Sequence, residues 1–151
     1  MKRATPNDVQ ELVTLMAEFY SESPYVLNPR RAAEAFSRLL ADDRLGQAWF
    51  IEANSRTVGY VVVTFCYSME YGGTCAVVDD FFIQPASRGI GLGKAALAEV
   101  QKCCVDIGIR AIQVETGLDN AAAQAVYRRA GFVETGRLHL ILKLADPTHA
   151  P

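Results

Sequence analysis

The sequence predicts one α/β domain of the α+β kind, a central mixed β-sheet flanked by helices. Three observations carry that expectation. Helical spacing with proline-marked starts fills the first forty residues. The period then changes to that of strands between Ala48 and Ile83. After Gly91, helix and strand alternate, the pattern of a crossover that joins parallel strands. A length of 151 residues suits a single domain.

Lys2 to Ala4 reads as a short first strand. Thr5-Pro6 followed by Asp8 is a helix start, with a hydroxyl cap, a proline at the first position and an acid at the third. Val9, Leu12, Val13, Met16 and Phe19 or Tyr20 then keep helical spacing. Asn28-Pro29 repeats the signal for a second helix with Ala32, Ala33, Phe36, Leu39 and Leu40 on one face. Ala48–Glu52, Val58–Tyr67 and Cys75–Ile83 read as three strands. Their connections at Asn54–Arg56 and Met69–Gly73 are short enough to join only antiparallel neighbours. Gly91 to about Ile107 is a helix with a stripe of Leu92, Ala96, Val100, Cys103 and Ile107, ended by Gly108. Ala111–Glu115 is a strand, Asn120–Ala130 a short helix ended by Gly131, and Val133–Leu144 reads as two short strands about Leu138. The domain is expected over residues 1–145, with 146–151 a frayed tail.

Composition narrows the function classes. Lys plus Arg is 15 and Asp plus Glu is 17, a net charge of −2. Phosphate neutralisation along a nucleic acid needs a basic excess, so a dedicated nucleic-acid binder is not expected. No apolar run approaches the ~20 residues that span a bilayer. The first residues lack the apolar stretch of a secretory signal, so the expected location is cytoplasmic. Cys66, Cys75, Cys103 and Cys104 form no C-x-x-C pair, and His139 and His149 lie far from them. Neither a zinc site nor a disulfide is expected, and no metal is called for.

The chemistry starts at Arg88-Gly89-Ile90-Gly91-Leu92-Gly93-Lys94, between a strand and a helix. Three glycines in five residues let a backbone approach a ligand without a Cβ in the way. The first turn of the helix leaves N–H groups unpaired, and its dipole favours an anion. With Arg88 and Lys94 flanking it, the loop reads as a phosphate or pyrophosphate cradle. It is not a P-loop, because Ala95 follows Lys94 where Ser or Thr is needed. Gly91-x-Gly93-x-x-Ala96 partly fits a dinucleotide fingerprint, with Glu115 downstream. Against that stand the spacer Gln84–Arg88 and a motif placed after an antiparallel meander, with too little chain left for a doubly wound sheet.

Ile83-Gln84-Pro85-Ala86-Ser87-Arg88-Gly89-Ile90-Gly91-Leu92-Gly93 resembles the acyl-coenzyme A loop of the GNAT N-acetyltransferase superfamily. Asn120-Ala121, Tyr127 and Gly131-Phe132 resemble that family's second signature, in the right order and at about the right distance. Arg3-Ala4-Thr5-Pro6 and Asp8 are similar to its opening strand and helix, so the resemblance covers essentially the whole chain. It implies a GNAT-like fold whose fourth and fifth strands splay apart, here Cys75–Ile83 and Ala111–Glu115, with acetyl-CoA entering the gap. It implies pantetheine beside Phe81, Phe82 and Ile83, the pyrophosphate on the N–H groups of Arg88, Gly89, Ile90, Gly91, Leu92, Gly93 and Lys94, and a contact from Asn120.

The resemblance also implies transfer of an acetyl group to a primary amine of a small molecule or peptide. Tyr127 is then the general acid for the departing thiolate, and an N–H near Phe82 or Ile83 stabilises the thioester oxygen. Asp79 is the first candidate for the base, followed by Glu70 and Glu115. By the two-residue period Asp79 shares a face with Phe81 and Ile83, unless a bulge shifts the alternation. Tyr25, Glu70 and Asp80 are expected on the acceptor side, with Asp80 mainly structural. Expected partners are the amine acceptor, neither nucleic acid nor membrane, and a homodimer is left open. A non-catalytic acyl-CoA-binding module would need the loop but not Tyr127. A dinucleotide-binding oxidoreductase fragment is the more distant alternative.

Overall fold

A computed structural model describes residues 1–23 and 26–144. Tyr25 and the tail expected after Ala145 lie outside the described residues. The strands β1 (Lys2–Arg3), β2 (Gly46–Ala53), β3 (Arg56–Ser68), β4 (Gly73–Ile83) and β5 (Ile112–Val114) form one sheet in sequence order. The first four pair antiparallel, and β4 pairs with β5 in parallel. The helices are α1 (Val9–Ser21), α2 (Pro29–Ala41), α3 (Leu92–Asp106) and α4 (Ala121–Arg129).

Local chemistry explains most boundaries. The Thr5 N–H donates to the Asp8 carboxylate (2.8 Å) and the Thr5 hydroxyl to the same oxygen (2.6 Å), which starts the first helical turn. Asn28 caps α2 by accepting from the Arg31 N–H at 3.1 Å. Asn54 and Ser55 both take positive φ, 50° and 59°, in the two-residue turn between β2 and β3.

The sheet has two covered faces. On one, Leu12, Leu15 and Phe36 of α1 and α2 pack on Phe50, Tyr60, Val62 and Phe82. On the other, Leu97, Val100 and Cys104 of α3 pack on Trp49, Val61, Val63, Ala76 and Val78. The α3 stripe therefore runs through Leu97 and Cys104, whereas Ile107 is exposed. Alpha-helix periodicity fixes the spacing of a stripe but leaves its rotation to the tertiary contact.

The far end of the sheet departs from the expected pattern in two places. Val63 pairs with Val78 but Val62 pairs with Asp80, so Asp79 is an extra residue, a β-bulge. It breaks the alternation, and Ala76 and Val78 share a face with Phe81 although the residue parity differs. The expectation that a simple two-residue period relates Asp79 to Phe81 and Ile83 is corrected accordingly. Second, the two strands expected over Val133–Leu144 are absent, since no regular element follows α4 among the described residues. Alternating apolar residues give a strand its faces but do not supply it with a partner edge.

Candidate functional site

The β4–β5 ladder covers only Ala76, Val77 and Val78 against Ile112, Gln113 and Val114. β5 stops there, while β4 runs on to Ile83 paired only with β3. The two strands thus splay just beyond the bulge, as the fold class predicts. The Gln84 N–H donates to the Val58 carbonyl at 2.8 Å. A Cβ on Gly59 would lie 2.1 Å from the Phe82 oxygen, so the Phe82 carbonyl also turns toward β3. Antiparallel alternation then directs the N–H and C=O groups of Phe81 and Ile83 into the gap. The Phe82 ring is buried against Phe19 and Tyr60, with centroids 5.6 and 6.3 Å away. Of the three residues named for this stretch, Phe81 and Ile83 line the gap and Phe82 supports it from the core.

At the end of β4 the glycine loop leads into α3. Gly89 and Gly91 have φ of 80° and 90°, where a side chain is strained, and a Cβ at either would meet nothing within 4 Å. Gly91 is the N-cap, and no side chain caps the helix. The first bond of α3 is from the Ala95 N–H to the Gly91 carbonyl at 3.1 Å, so the N–H groups of Leu92, Gly93 and Lys94 are open. Ile90 is 71% exposed, and Lys94 makes no ion pair among the described residues. A Cβ on Gly93 would make ordinary contacts, 3.4 Å from Val126 and 3.7 Å from Ile83 and Phe81, so this position marks where α3, α4 and β4 meet without requiring glycine.

Arg88 behaves differently from the rest of the loop. Its Nε donates to the Ile83 carbonyl (2.7 Å), and its Nη2 donates to both oxygens of Glu22 (2.8 and 2.9 Å). Its N–H donates to the Pro85 carbonyl, and its guanidinium lies 5.7 Å from the Phe82 ring centre. The charge read as part of the cradle therefore ties the end of α1 to the end of β4. Sequence reasoning missed this, because Glu22 lies 66 residues away and nothing local marks it as the partner.

Tyr127 meets β4 at Phe81, with centroids 6.2 Å apart, and Phe132 at 5.7 Å. Its hydroxyl makes no hydrogen bond among the described residues, and burial pushes its pKa up to about 12. It is a protonated donor at neutral pH. Asn120 caps α4, its Oδ1 accepting from the Ala123 N–H at 3.0 Å.

The acids separate clearly. Asp79 sits at the bulge, one residue beyond the ladder, as Glu115 does on β5. Loss of solvent, then the Glu115 charge, raises the Asp79 pKa. Asp80 turns to the α1–α2 face, is 9% exposed and accepts from the Tyr60 hydroxyl at 2.8 Å. Burial pushes Asp80 up to about 6 despite that bond. Glu70 is paired by Arg137 at 2.6 and 2.9 Å, which holds its pKa low. It lies beyond the opposite end of β4, roughly 20 Å along the strand from Asp79. The structure thus brings Asp79, Glu115, Phe81 and Tyr127 to one gap and leaves Glu70 out. Tyr60 is the partner that sequence reasoning missed, because only the β3–β4 register reveals it.

Among the described residues no group of three or more His, Cys, Asp or Glu is arranged to hold a metal ion. No described helix is long and apolar enough to cross a membrane.

A family model described as the acetyltransferase (GNAT) family matches residues 10–132. An aminoglycoside N(6')-acetyltransferase type 1 of Stenotrophomonas maltophilia is 27% identical over 141 residues, covering 91% of this chain and 88% of the relative. An integron cassette protein from the mobile metagenome of Cole Harbour Salt Marsh superposes with a TM-score of 0.87 at 46% identity. That match covers 99% of this chain and 93% of the other. A protein from Clostridium acetobutylicum described as a predicted acetyltransferase, solved with acetyl-CoA, shares the fold with a TM-score of 0.79 at 18% identity, covering 93% and 94%.

Proposed function

The chain belongs to the GNAT acetyltransferase family, and on that premise we propose that it transfers an acetyl group from acetyl-CoA to a primary amine of a small molecule or peptide. The observation that carries the reading is the gap beyond Val78 and Val114, with a free strand edge on one side and an uncapped helix N-terminus at its end. The residues fit acetyl-CoA. The open N–H groups of Leu92, Gly93 and Lys94 and the room at Gly89 and Gly91 suit a pyrophosphate. The backbone groups of Phe81 and the Ile83 N–H suit an amide-bearing pantetheine arm laid as an added strand, while the Ile83 carbonyl is already held by Arg88. A fold neighbour solved with acetyl-CoA and a relative described as an aminoglycoside acetyltransferase agree with this choice.

Acetyl-CoA supplies an activated acyl group as a thioester. The chain's own residues then have three tasks. An N–H from Phe81 or Ile83 donates to the thioester oxygen as its charge grows. Asp79 accepts the proton that the attacking amine must lose. Its raised pKa brings it closer to the amine than an ordinary carboxylate. Tyr127 delivers a proton to the leaving sulfur. An exposed thiol sits near ~8.5, so a hydroxyl at about 12 is the weaker acid. The burial that raises Tyr127 also raises a thiolate held beside it, which narrows that difference.

Thermal-shift measurements with acetyl-CoA, CoA and NAD(H) test the donor. Stabilisation by the first two and not by NAD(H) is expected; stabilisation by NAD(H) alone would remove the reading. An acceptor screen that follows thiol release over polyamines, amino acids, aminoglycosides and peptide N-termini tests the transfer. Tight acetyl-CoA binding with no turnover on any amine class would favour a non-catalytic acyl-CoA-binding module.

A further inference from the structure

Two of the four cysteines face one another across the β3–β4 hairpin. Cys66 and Cys75 are register partners on these antiparallel strands. The Arg110 N–H donates to the Thr74 carbonyl and the Ala76 N–H to the Ala111 carbonyl, so the backbone groups of Thr74 and Ala76 turn toward β5. By alternation the N–H and C=O of Cys75 turn toward Cys66, which makes the two a hydrogen-bonded pair. Facing Cα atoms in such a pair are about 5.5 Å apart, a separation that a disulfide bridges. Both side chains rise from the same face of the sheet.

The two thiols differ in access. Cys66 is exposed and Cys75 is fully buried. The Cys75 thiol points to the Gly73 carbonyl oxygen at 3.8 Å. Gly73 shares its face, and a Cβ there would lie 2.9 Å from the Arg110 side chain, which therefore lies over this end of the strand. A reagent from solvent meets Cys66 first. The hairpin closes at Ser68 and Gly73, with Gly72 at a φ of 66°. A turn so near the pair can absorb the approach of about 1 Å that facing Cβ atoms need for a bond. Cys103 and Cys104 are placed differently. They are neighbours on α3, Cys104 is packed in the core, and successive helix residues do not face each other.

We propose that Cys66 and Cys75 form a reversible dithiol site that a low-molecular-weight disulfide oxidises to an internal cross-strand bond. The site lies on the other side of the Ala76–Val78 ladder from the gap, and it does not depend on the proposed function. The Cys66 thiolate attacks one sulfur of the small disulfide. A mixed disulfide forms and the first small thiolate leaves. The Cys75 thiolate then attacks the Cys66 sulfur, the internal S–S bond forms and the second small thiolate leaves. Two electrons pass from the cysteine pair to the small disulfide. The two protons that the cysteines lose go to the two departing thiolates. An excess of small thiol reverses both steps. The bond ties β3 to β4 around the hairpin that carries Glu70, whose carboxylate pairs with Arg137. A search for C-x-x-C spacing passes over this pair, because the strand register and not the sequence interval brings the two thiols together.

The test reads peptide mass, which does not depend on activity. Cleavage after Arg56 and Arg88 leaves both cysteines in one tryptic peptide, and Glu70 divides them for a glutamate-specific protease. The folded full chain is incubated with millimolar glutathione disulfide, then denatured, alkylated and mapped. Peptide 57–88 is expected to lose two hydrogens and take up no alkylating agent. Its halves should stay joined after cleavage at Glu70 until dithiothreitol is added. Cys103 and Cys104 should still be alkylated. In Cys66→Ser, whose position is exposed, oxidation of Cys75 should be slower by about tenfold or more, because its route to the reagent is gone. Glutathione retained on Cys66 of the wild type would overturn the proposal, since Cys75 would then be out of reach. Chains joined to each other through Cys66, or peptide 57–88 recovered with both thiols free, would overturn it as well. So would oxidation of Cys75 at the wild-type rate in Cys66→Ser.

Discussion

The Tyr60 hydroxyl donates to the Asp80 carboxylate at 2.8 Å, inside the layer between the sheet and helices α1 and α2. Asp80 is the one buried charged residue among those described, and it keeps a carboxylate where solvent is excluded. Folding therefore works against its ionisation.

An acid whose pKa rises on folding binds its proton more tightly in the folded chain. Stability then falls as pH climbs from the ordinary 3.8 to about 6, and is flat above. At pH 7 the buried charge costs on the order of 2–3 kcal/mol. Asp80→Asn keeps an acceptor for Tyr60 and removes that charge. Urea unfolding should show the variant gaining on the wild type by about that amount between pH 4 and pH 7. A difference that does not change with pH would mean Asp80 is not ionised against resistance.

Tyr127→Phe removes a hydroxyl that has no hydrogen bond to any described residue and keeps the ring between Phe81 and Phe132. Thermal unfolding should hardly move. Turnover should fall by about 10²–10⁴ if the hydroxyl protonates the thiolate, with a much smaller change in acetyl-CoA affinity. Near-wild-type turnover on the best acceptor would reduce Tyr127 to packing.

Asp79→Asn and Asp80→Asn separate the neighbouring acids. If Asp79 takes the amine proton, its variant should lose most rate at low pH, where few acceptor molecules are neutral. It should recover partly as pH approaches the amine's own pKa. Asp80→Asn should keep the shape of the wild-type pH–rate profile. An unchanged profile in Asp79→Asn would move the base to Glu115 or a water chain, since Glu70 is held by Arg137 at the other end of β4.

Gly91→Glu should abolish acetyl-CoA binding by calorimetry, because it puts a carboxylate beside the open N–H groups of α3. Its φ of 90° also costs a side chain on the order of 1–2 kcal/mol. Gly91→Ala carries the same strain without the charge, so it should be comparably destabilised but bind far better. Equal affinity in the folded Glu variant would place the pyrophosphate elsewhere.

Much of the fold is legible because its signals are local. Thr5-Pro6 with Asp8, Asn28-Pro29 and Gly91 each mark a helix start through contacts within three residues or through one φ angle. The glycine loop and Tyr127 are legible for the same reason, as spacings along one element. What escaped depends on partners far along the chain. Arg88 is engaged by Glu22, Asp80 by Tyr60, and the inward turn of Phe82 is set by β3. The apolar pattern after Val133 shows that the segment favours an extended form, but no pattern within a strand states which edge it meets.

The Asp79 bulge has a genetic consequence. Ala76 and Val78 face β5, and Asp80 and Phe82 face β3, so without Asp79 the strand would alternate regularly from end to end. Nothing in its backbone would then oblige β4 to part from β5 after Val78. The gap opens where the inserted residue sits, at the register shift that follows Val78. Substitution along this strand changes side chains and keeps the register, whereas an in-frame loss of the single Asp79 codon is expected to restore regular alternation up to Ile83. The length of β4, more than the identity of any one of its side chains, is then the property that a deletion mutant of this strand would put to the test.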